Sequence, residues 1–538
     1  MTTTAAFTDA DDPIRGISHP GGYWSRANTA EAASDILSPL CWSFWSTGAE
    51  WAARAGLSDM GLLPRSEIRM PTGPEESCLG CFYGRQALNV DFSRKVMASM
   101  PGADADDFER DLLGTVRPDA PHVPTSLRRA PVIALRAPAT VLGHARKARA
   151  LHTRHLAWWQ DATSRPPLSP LDLLIDAVVH FRRSLRPQMV ARSLITAVHA
   201  TFTSLCAKAE RPDLFAALAS GFGGTPESDL AQLLWDVAKG RRAGEEITTW
   251  YGFHGVHEGN LTGISWREDP QALRTCLDSL AVAPTASSPQ ARAGTATRHH
   301  ETAVTTVYRR LGRRDRAALV AVSAFAAIPV RSLQQTKEAS LMAIDAGRYA
   351  ARTLGRHLVD QGTLNDVEDA FFLTLDELRR PLGPGTAELA AFRRERHAAY
   401  RSLDLPVTFT GVPEPFPARE AEVTKGELTL TGISASPGTV TGPARVMHTW
   451  SDTPPNPGEI LVCHATSPSW TPAFTVAGGV VTDVGSTASH SAIIARELGI
   501  PCVVNADDAS RLIHTGDTLL VEGDTGTVRR IADTGKDG

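Results

Sequence analysis

Paired cysteines, long apolar runs and net charge of either sign are all scarce in this chain of 538 residues. Its 7 cysteines include one Cys-x-x-Cys pair, Cys78 and Cys81, with no second pair or paired histidines nearby. That pattern predicts reduced, mostly buried thiols and no metal site. No run of about 18 apolar residues occurs, which argues against a membrane span. The opening MTTTAAFTDADDPIRG has neither a basic region nor an apolar core, so no signal peptide is expected and the cytoplasm is the expected location. A formal charge of −4 offers no general attraction to nucleic acid or to an anionic membrane. Two basic runs, RRLGRRDR at 309–316 and FRRERH at 392–397, have helical spacing and read as solvated helix faces. Aromatic residues make up only 6%, and Trp24, Trp42 and Trp45 read as core or pocket wall.

What is present is the composition of a globular protein, 42% hydrophobic and 21% charged, at a length that suggests two to four domains. No internal repeat is visible. Residues 1–20 read as a disordered N-terminus. The proline-containing stretch 101–140 reads as an extended excursion. Between 141 and 400 the pattern is helical, as in PLDLLIDAVVHFRRSL and EASLMAIDAGRYAARTLGRHLVDQG. It is interrupted by AVAPTASSPQARAGTATRHH at 281–300, which reads as a mobile surface loop. A proline-rich linker is expected over 405–424. After it come short β-type runs such as EILVCHA, GGVVTDVG and DTLLVEGDTGTVRRI. The expected fold is multidomain α plus α/β: a large α-helical domain over 21–404, then a small β/β/α domain over 425–538.

The most informative segment is GSTASHSAIIARELGIPC at 485–502. An apolar strand ending in Gly485 leads into small hydroxylated residues and then an apolar helical run, so a helix should begin near Ser489 or His490. The N–H groups and positive end of such a helix suit an anion. His490 could there attack a phosphoryl group, with Thr487 and Ser489 hydroxyls stabilising the product. An ordinary polar residue at a helix start is the rival reading.

The stretch AGGVVTDVGSTASHSAIIARELGIPCVV at 477–504 closely resembles the phosphohistidine signature of the phosphoenolpyruvate-utilising enzymes, including Ser489-His490, Ala495-Arg496-Glu497 and Gly499-Ile500-Pro501. GISASPGTVTGPARV at 432–446 and TSPSWTPAF at 466–474 resemble other parts of the same swivelling domain. Ser486 stands where the family has glycine. Upstream, YWSRANTAEAASDILSPLCWS, YGFHGVHEGNLTGISWREDP and LVDQGTLNDVEDAFFLTLDEL resemble the substrate domain of the rifampin phosphotransferase and phosphoenolpyruvate synthase-like members. The resemblance implies that His490 carries phosphate between two active sites, that Gly485, Thr487, Ser489 and Arg496 hold it, and that 21–404 binds the substrate.

Two departures shape the expected function. Neither the family's ATP-grasp domain nor its phosphoenolpyruvate-binding barrel is recognisable, so ATP and magnesium are expected to act through a separate ATP-grasp partner, with no intrinsic cofactor and no metal site. The family's Arg-Glu-x-x-Lys arrangement corresponds to Lys337-Glu338-Ala339-Ser340-Leu341, where one cation is changed and the other lost. Lys337 and Glu338 remain candidates for catalysis, with a surface helix pair as the rival. His254 and Glu258 could supply a general base or acid, or could simply hold their loop, whereas His257 reads as incidental. The leading expectation is phosphoryl transfer from His490 to a hydroxyl or carboxylate of a small organic substrate. Phosphate-independent acid–base chemistry, such as dehydration, cyclisation or condensation, is the first alternative. A non-catalytic subunit is the second. No nucleic-acid or membrane partner is expected.

Overall fold

The computed structural model describes residues 7–27, 29, 35–99, 104–113, 115–124, 127–417, 428–448, 452–487, 489–506 and 508–531. The protein is α plus β and divides into two compact units. Unit 1 comprises Met1–Val190, His257–Gly263 and Thr336–Arg419, and unit 2 comprises Ala191–Val256, Ile264–Gln335 and Glu420–Gly538.

The principal helices are α1 (Pro39–Asp59), α2 (Ala130–Ser164), α3 (Pro170–Lys208), α4 (Pro226–Ala238), α5 (Gln271–Val282), α6 (Pro289–Arg310), α7 (Arg313–Asp360), α8 (Thr386–Arg401), α9 (Thr471–Val476) and α10 (His490–Leu498). By length and composition alone α3 and α7 are apolar enough to cross a membrane. In α7, however, Asp345 and Arg348 are fully buried against protein partners, as in a core helix.

Unit 1 also contains a four-stranded sheet of β1 (Tyr23–Ser25), β2 (Leu79–Phe82), β3 (Arg85–Asn89) and β4 (Thr408–Thr410), in the order β2-β3-β1-β4. Part of the segment expected to be a linker is therefore a strand, anchored by buried Leu405 and Phe409, while 418–424 lies outside the described residues. All seven cysteines are free and buried.

Unit 2 is built on an eight-stranded sheet: β5 (Leu428–Thr431), β6 (Ile433–Ser436), β7 (Thr439–Met447), β8 (Ile460–Cys463), β9 (Gly479–Thr482), β10 (Cys502–Val504), β11 (Thr518–Glu522) and β12 (Thr527–Arg530). The strand order is β6-β10-β9-β8-β7-β11-β12-β5. Its centre, β10-β9-β8-β7, is parallel, and β8 and β9 are buried at every position. Such continuous burial matches their unbroken apolar runs.

Four sequence expectations are overturned. The stretch expected to be a mobile loop contains the whole first half of α6, because Ser288 caps the helix, Pro289 starts it, and Pro289, Ala296, Ala303 and Val307 form a buried stripe. The expected excursion over 101–140 contains the helix Ala105–Leu113 and the start of α2, which accommodates Pro138. The N-terminus is not disordered from residue 7 onward: Thr8 and Asp11 form a capping box and Ile14 is buried, while residues 1–6 lie outside the described residues. Nor is the run at 392–397 a wholly solvated face. Arg393 is buried and donates to the Asp11 and Phe372 carbonyls and to both oxygens of Glu377.

Candidate active site at a helix N-terminus

Strand β9 delivers the chain to the turn at 483–489, and α10 begins at His490. The Ser489 hydroxyl accepts the Ala492 N–H at 3.3 Å and so caps the helix. At the other end Gly499 adopts φ +60, the left-handed conformation that terminates helices. Gly485 allows close packing of the turn, since a Cβ there would lie 3.0 Å from the Val504 Cβ and 3.2 Å from the Ser489 hydroxyl. All nine residues of α10 are buried.

His490 is 4% exposed. Its Nδ1 lies 3.1 Å from the Thr466 hydroxyl, which in turn lies 2.8 Å from the Ser491 hydroxyl. The Phe474 ring meets the imidazole edge-on at 5.9 Å between centroids. Arg496, expected to hold phosphate, braces the turn: its Nε donates to the Ala435 carbonyl at 2.5 Å and its Nη2 to the Thr487 carbonyl at 2.6 Å. Burial pushes the Arg496 guanidinium down to about 10, which still leaves it cationic at neutral pH.

The far end of α10 is anchored within unit 2. The Glu497 carboxylate accepts the backbone N–H groups of Phe222 and Gly223 at 3.3 and 2.7 Å. Arg331 grips the same loop through the carbonyls of Gly223 and Phe222 at 2.7 and 2.6 Å. Burial raises the Glu497 carboxyl, with the two N–H groups and Arg331 acting in the opposite direction. One turn earlier Ile493 packs among Ala191, Ile195, Val330 and Leu333. Arg292 adds hydrogen bonds to the carbonyls of Phe474 and Ala477 at 3.2 and 3.1 Å. Hydrogen bonds to a charged group contribute about 1.5–3 kcal/mol, so Glu497→Ala should speed amide exchange at Phe222 and Gly223 about ten- to a hundredfold. Hydrogen exchange followed by mass spectrometry reads this directly, and unchanged protection would show that the carboxylate is not the anchor.

The remaining candidates fall in different places. His254 belongs to unit 2 and is fully buried, surrounded by the rings of Phe253, Trp266 and Tyr251 at 4.5, 5.3 and 6.2 Å. Glu258, only four residues later, belongs to unit 1 together with Lys337 and Glu338. Its backbone carbonyl accepts from Arg348 at 3.4 Å, and the neighbouring Gly259 and Asn260 carbonyls accept from Trp45 and Arg348 at 2.8 and 2.9 Å. These contacts favour loop-holding for this segment.

Helices α2 and α7 meet in unit 1 through two side-chain rungs. His152 Nε2 lies 2.6 Å from Glu338 Oε2, and Trp159 Nε1 donates to Asp345 Oδ2 at 2.8 Å. The rungs are seven residues apart on both helices, two α-helical turns. Glu338 is thus a buried carboxylate that pairs with a histidine on α2. Sequence reasoning missed His152, Thr466 and Ser491. Thr466 and Ser491 fell within stretches whose resemblance was noticed, whereas His152 did not.

Residues 455–526 match the family described as PEP-utilising enzyme, mobile domain, and residues 245–331 match the rifampicin phosphotransferase fourth domain. An uncharacterized protein of Mycobacterium tuberculosis (strain ATCC 25618 / H37Rv) is 34% identical over 217 residues, covering 40% of this chain and 25% of that protein. The prodigiosin synthesizing transferase of Serratia marcescens is 45% identical over 143 residues, 25% of this chain and 16% of that one. A rifampicin phosphotransferase from Streptomyces sp is 36% identical over 179 residues, 32% and 20% of the respective chains. The chain therefore spans a quarter or less of each of these relatives in the matched region.

Proposed function

We propose that His490, which lies within the residues matching the mobile domain of the phosphoenolpyruvate-utilising enzymes, accepts a phosphoryl group and passes it to a hydroxyl or carboxylate of a small organic substrate. The observation that supports this most is the hydroxyl pair behind the imidazole. If Nδ1–H donates to Thr466 and Thr466 donates to Ser491, the Nε2 lone pair becomes the nucleophile. The first turn of α10 then supplies N–H groups for the phosphoryl oxygens. Phosphate reaches His490 from a separate ATP-grasp partner using ATP and magnesium. Ser489, Thr487 and Gly485 shape the turn that receives it, with Arg496 holding that turn in place.

The substrate side is assigned to the helical residues, where similarity to the rifampicin phosphotransferase fourth domain supports a natural product as the substrate class. Glu338, through His152, is the best placed of the unit 1 candidates for proton transfer. A second reading, phosphate-independent condensation or cyclisation with His490 as acid–base, is favoured by one observation. Leu341, at the position where relatives place a cation, is buried at 6% exposure and offers an incoming phosphoryl group no charge.

Intact-protein mass spectrometry at neutral to basic pH tests the proposal. The chain is incubated with ATP and magnesium, with phosphoenolpyruvate, and with a candidate ATP-grasp partner. One added phosphate mapping to the peptide around His490 is expected with the partner present. No added mass under any donor, combined with turnover of a natural-product acceptor, would transfer the case to the acid–base reading.

A further inference from the structure

Strands β8, β9 and β10 are neighbours and run parallel, so the residues that follow them emerge along one edge of the sheet. In open α/β sheets that carboxyl edge is where ligands bind. Directly after β8 comes His464, directly after β9 comes Asp483, and shortly after β10 comes Ser510. These three form a connected group. His464 Nδ1 donates to Asp483 Oδ2 at 3.1 Å, the Ser510 hydroxyl donates to the same oxygen at 2.5 Å, and the Ser510 N–H donates to Asp483 Oδ1 at 2.7 Å. The Asp483 side chain is 8% exposed whereas that of His464 is 53% exposed.

The direction of the proton follows from chemistry. An ionised carboxylate can only accept, so Nδ1 of His464 carries the hydrogen and Nε2 presents its lone pair to solvent. A buried aspartate that fixes the tautomer of an accessible histidine is an arrangement suited to general base catalysis. Surface salt bridges rarely need such bracing. Here both aspartate oxygens are held by Ser510, and the His464 backbone is itself fixed by the Val484 N–H, which donates to its carbonyl at 3.1 Å.

The location connects this pair to His490. Thr466, which touches His490 Nδ1, lies two residues after His464, about 7 Å along an extended chain. Asp483 begins the turn that ends at His490. We infer that His464, oriented by Asp483 and Ser510, is a general base carried on the same domain as the phosphoryl group, serving a hydroxyl acceptor. This inference rests on the phosphoryl-carrier reading above. In the step, the acceptor oxygen attacks phosphorus, the P–N bond to His490 breaks with its electron pair returning to the imidazole, and the acceptor hydroxyl proton passes to His464 Nε2. Asp483 acts through His464 and is a positioning residue.

Two half-reactions separate the possibilities. The full chain is loaded with potassium phosphoramidate, which donates phosphate to imidazoles without a protein partner, and the phosphorylated peptide is mapped. Excess donor is removed, and discharge to water and to glycerol is followed by intact mass and by the appearance of inorganic and glycerol phosphate. Loading of His490 should be equal within about twofold in wild type and His464→Gln, since phosphoramidate brings no hydroxyl proton to be removed. Discharge should fall about a hundredfold in His464→Gln, within the usual range for loss of a general base. Asp483→Asn should lie between, and added imidazole should restore discharge in His464→Ala, a response that a merely structural residue would not give. Equal discharge from loaded wild type and His464→Gln overturns the base while leaving the carrier standing. Failure of wild-type His490 to load overturns the carrier reading and this inference with it.

Discussion

Under the phosphoryl-carrier reading, replacing His490 by alanine should abolish loading with phosphate, and replacing Thr466 by valine should lower the rate of loading about a hundredfold. The second effect tests more of the chemistry than the first. Valine keeps the volume of threonine but removes the oxygen that lies between His490 Nδ1 and the Ser491 hydroxyl. In a site this buried, two polar groups then lose a shared partner, and the proposed tautomer with its proton on Nδ1 loses the acceptor that would hold it. A ring protonated on Nε2 cannot attack phosphorus with that atom. Thr466→Ser keeps the oxygen and should retain most of the rate. The time course of intact mass under a fixed donor reads all three variants, with circular dichroism as the check on folding. If Thr466→Val loads as fast as wild type, the tautomer is set by something other than the hydroxyl pair.

Loss of Arg348 should destabilise unit 1 by about 3–5 kcal/mol. Arg348 and Asp345 have no exposed side-chain surface and pair at 3.2 Å, and Trp159 donates to the other aspartate oxygen. Arg348→Ala strands a buried carboxylate and releases the carbonyls of Glu258 and Asn260. Asp345→Asn in the Arg348→Ala background removes the stranded charge and should recover part of the loss. Urea unfolding monitored by tryptophan fluorescence follows the transition, since Trp159 sits in the cluster. A midpoint unchanged in Arg348→Ala would mean that water or a rearranged partner reaches Asp345.

The pattern of what was legible in the sequence follows from range of contact. The turn and helix around His490 were readable because their determinants are local: an apolar strand, a serine cap, an apolar helix run and a terminating glycine within about 20 residues. The start of α10 at His490 agrees with that reading. Thr466 lies 24 residues from His490, and its contact depends on β8 and β9 being neighbours in the sheet, which no local pattern specifies. Glu338 could be singled out by type and spacing, but its histidine partner is 186 residues away. Helix α6 was hidden because its buried stripe consists largely of alanine and proline, residues that give little hydropathy contrast against threonine and glycine. His254 and Glu258 looked like one cluster because they are four residues apart, yet the chain passes from one compact unit to the other between them.

Helix α10 begins with the His490 imidazole and carries its anchor seven residues later, roughly 10 Å away along the helix axis. Under the phosphoryl-carrier reading, a dianionic group added at His490 should perturb the first turn, and the 2.7 Å contact between Glu497 and the Gly223 N–H lies at the other end of the same helix. A shift of the Gly223 amide resonance on loading is therefore the expected remote signal of the loaded histidine.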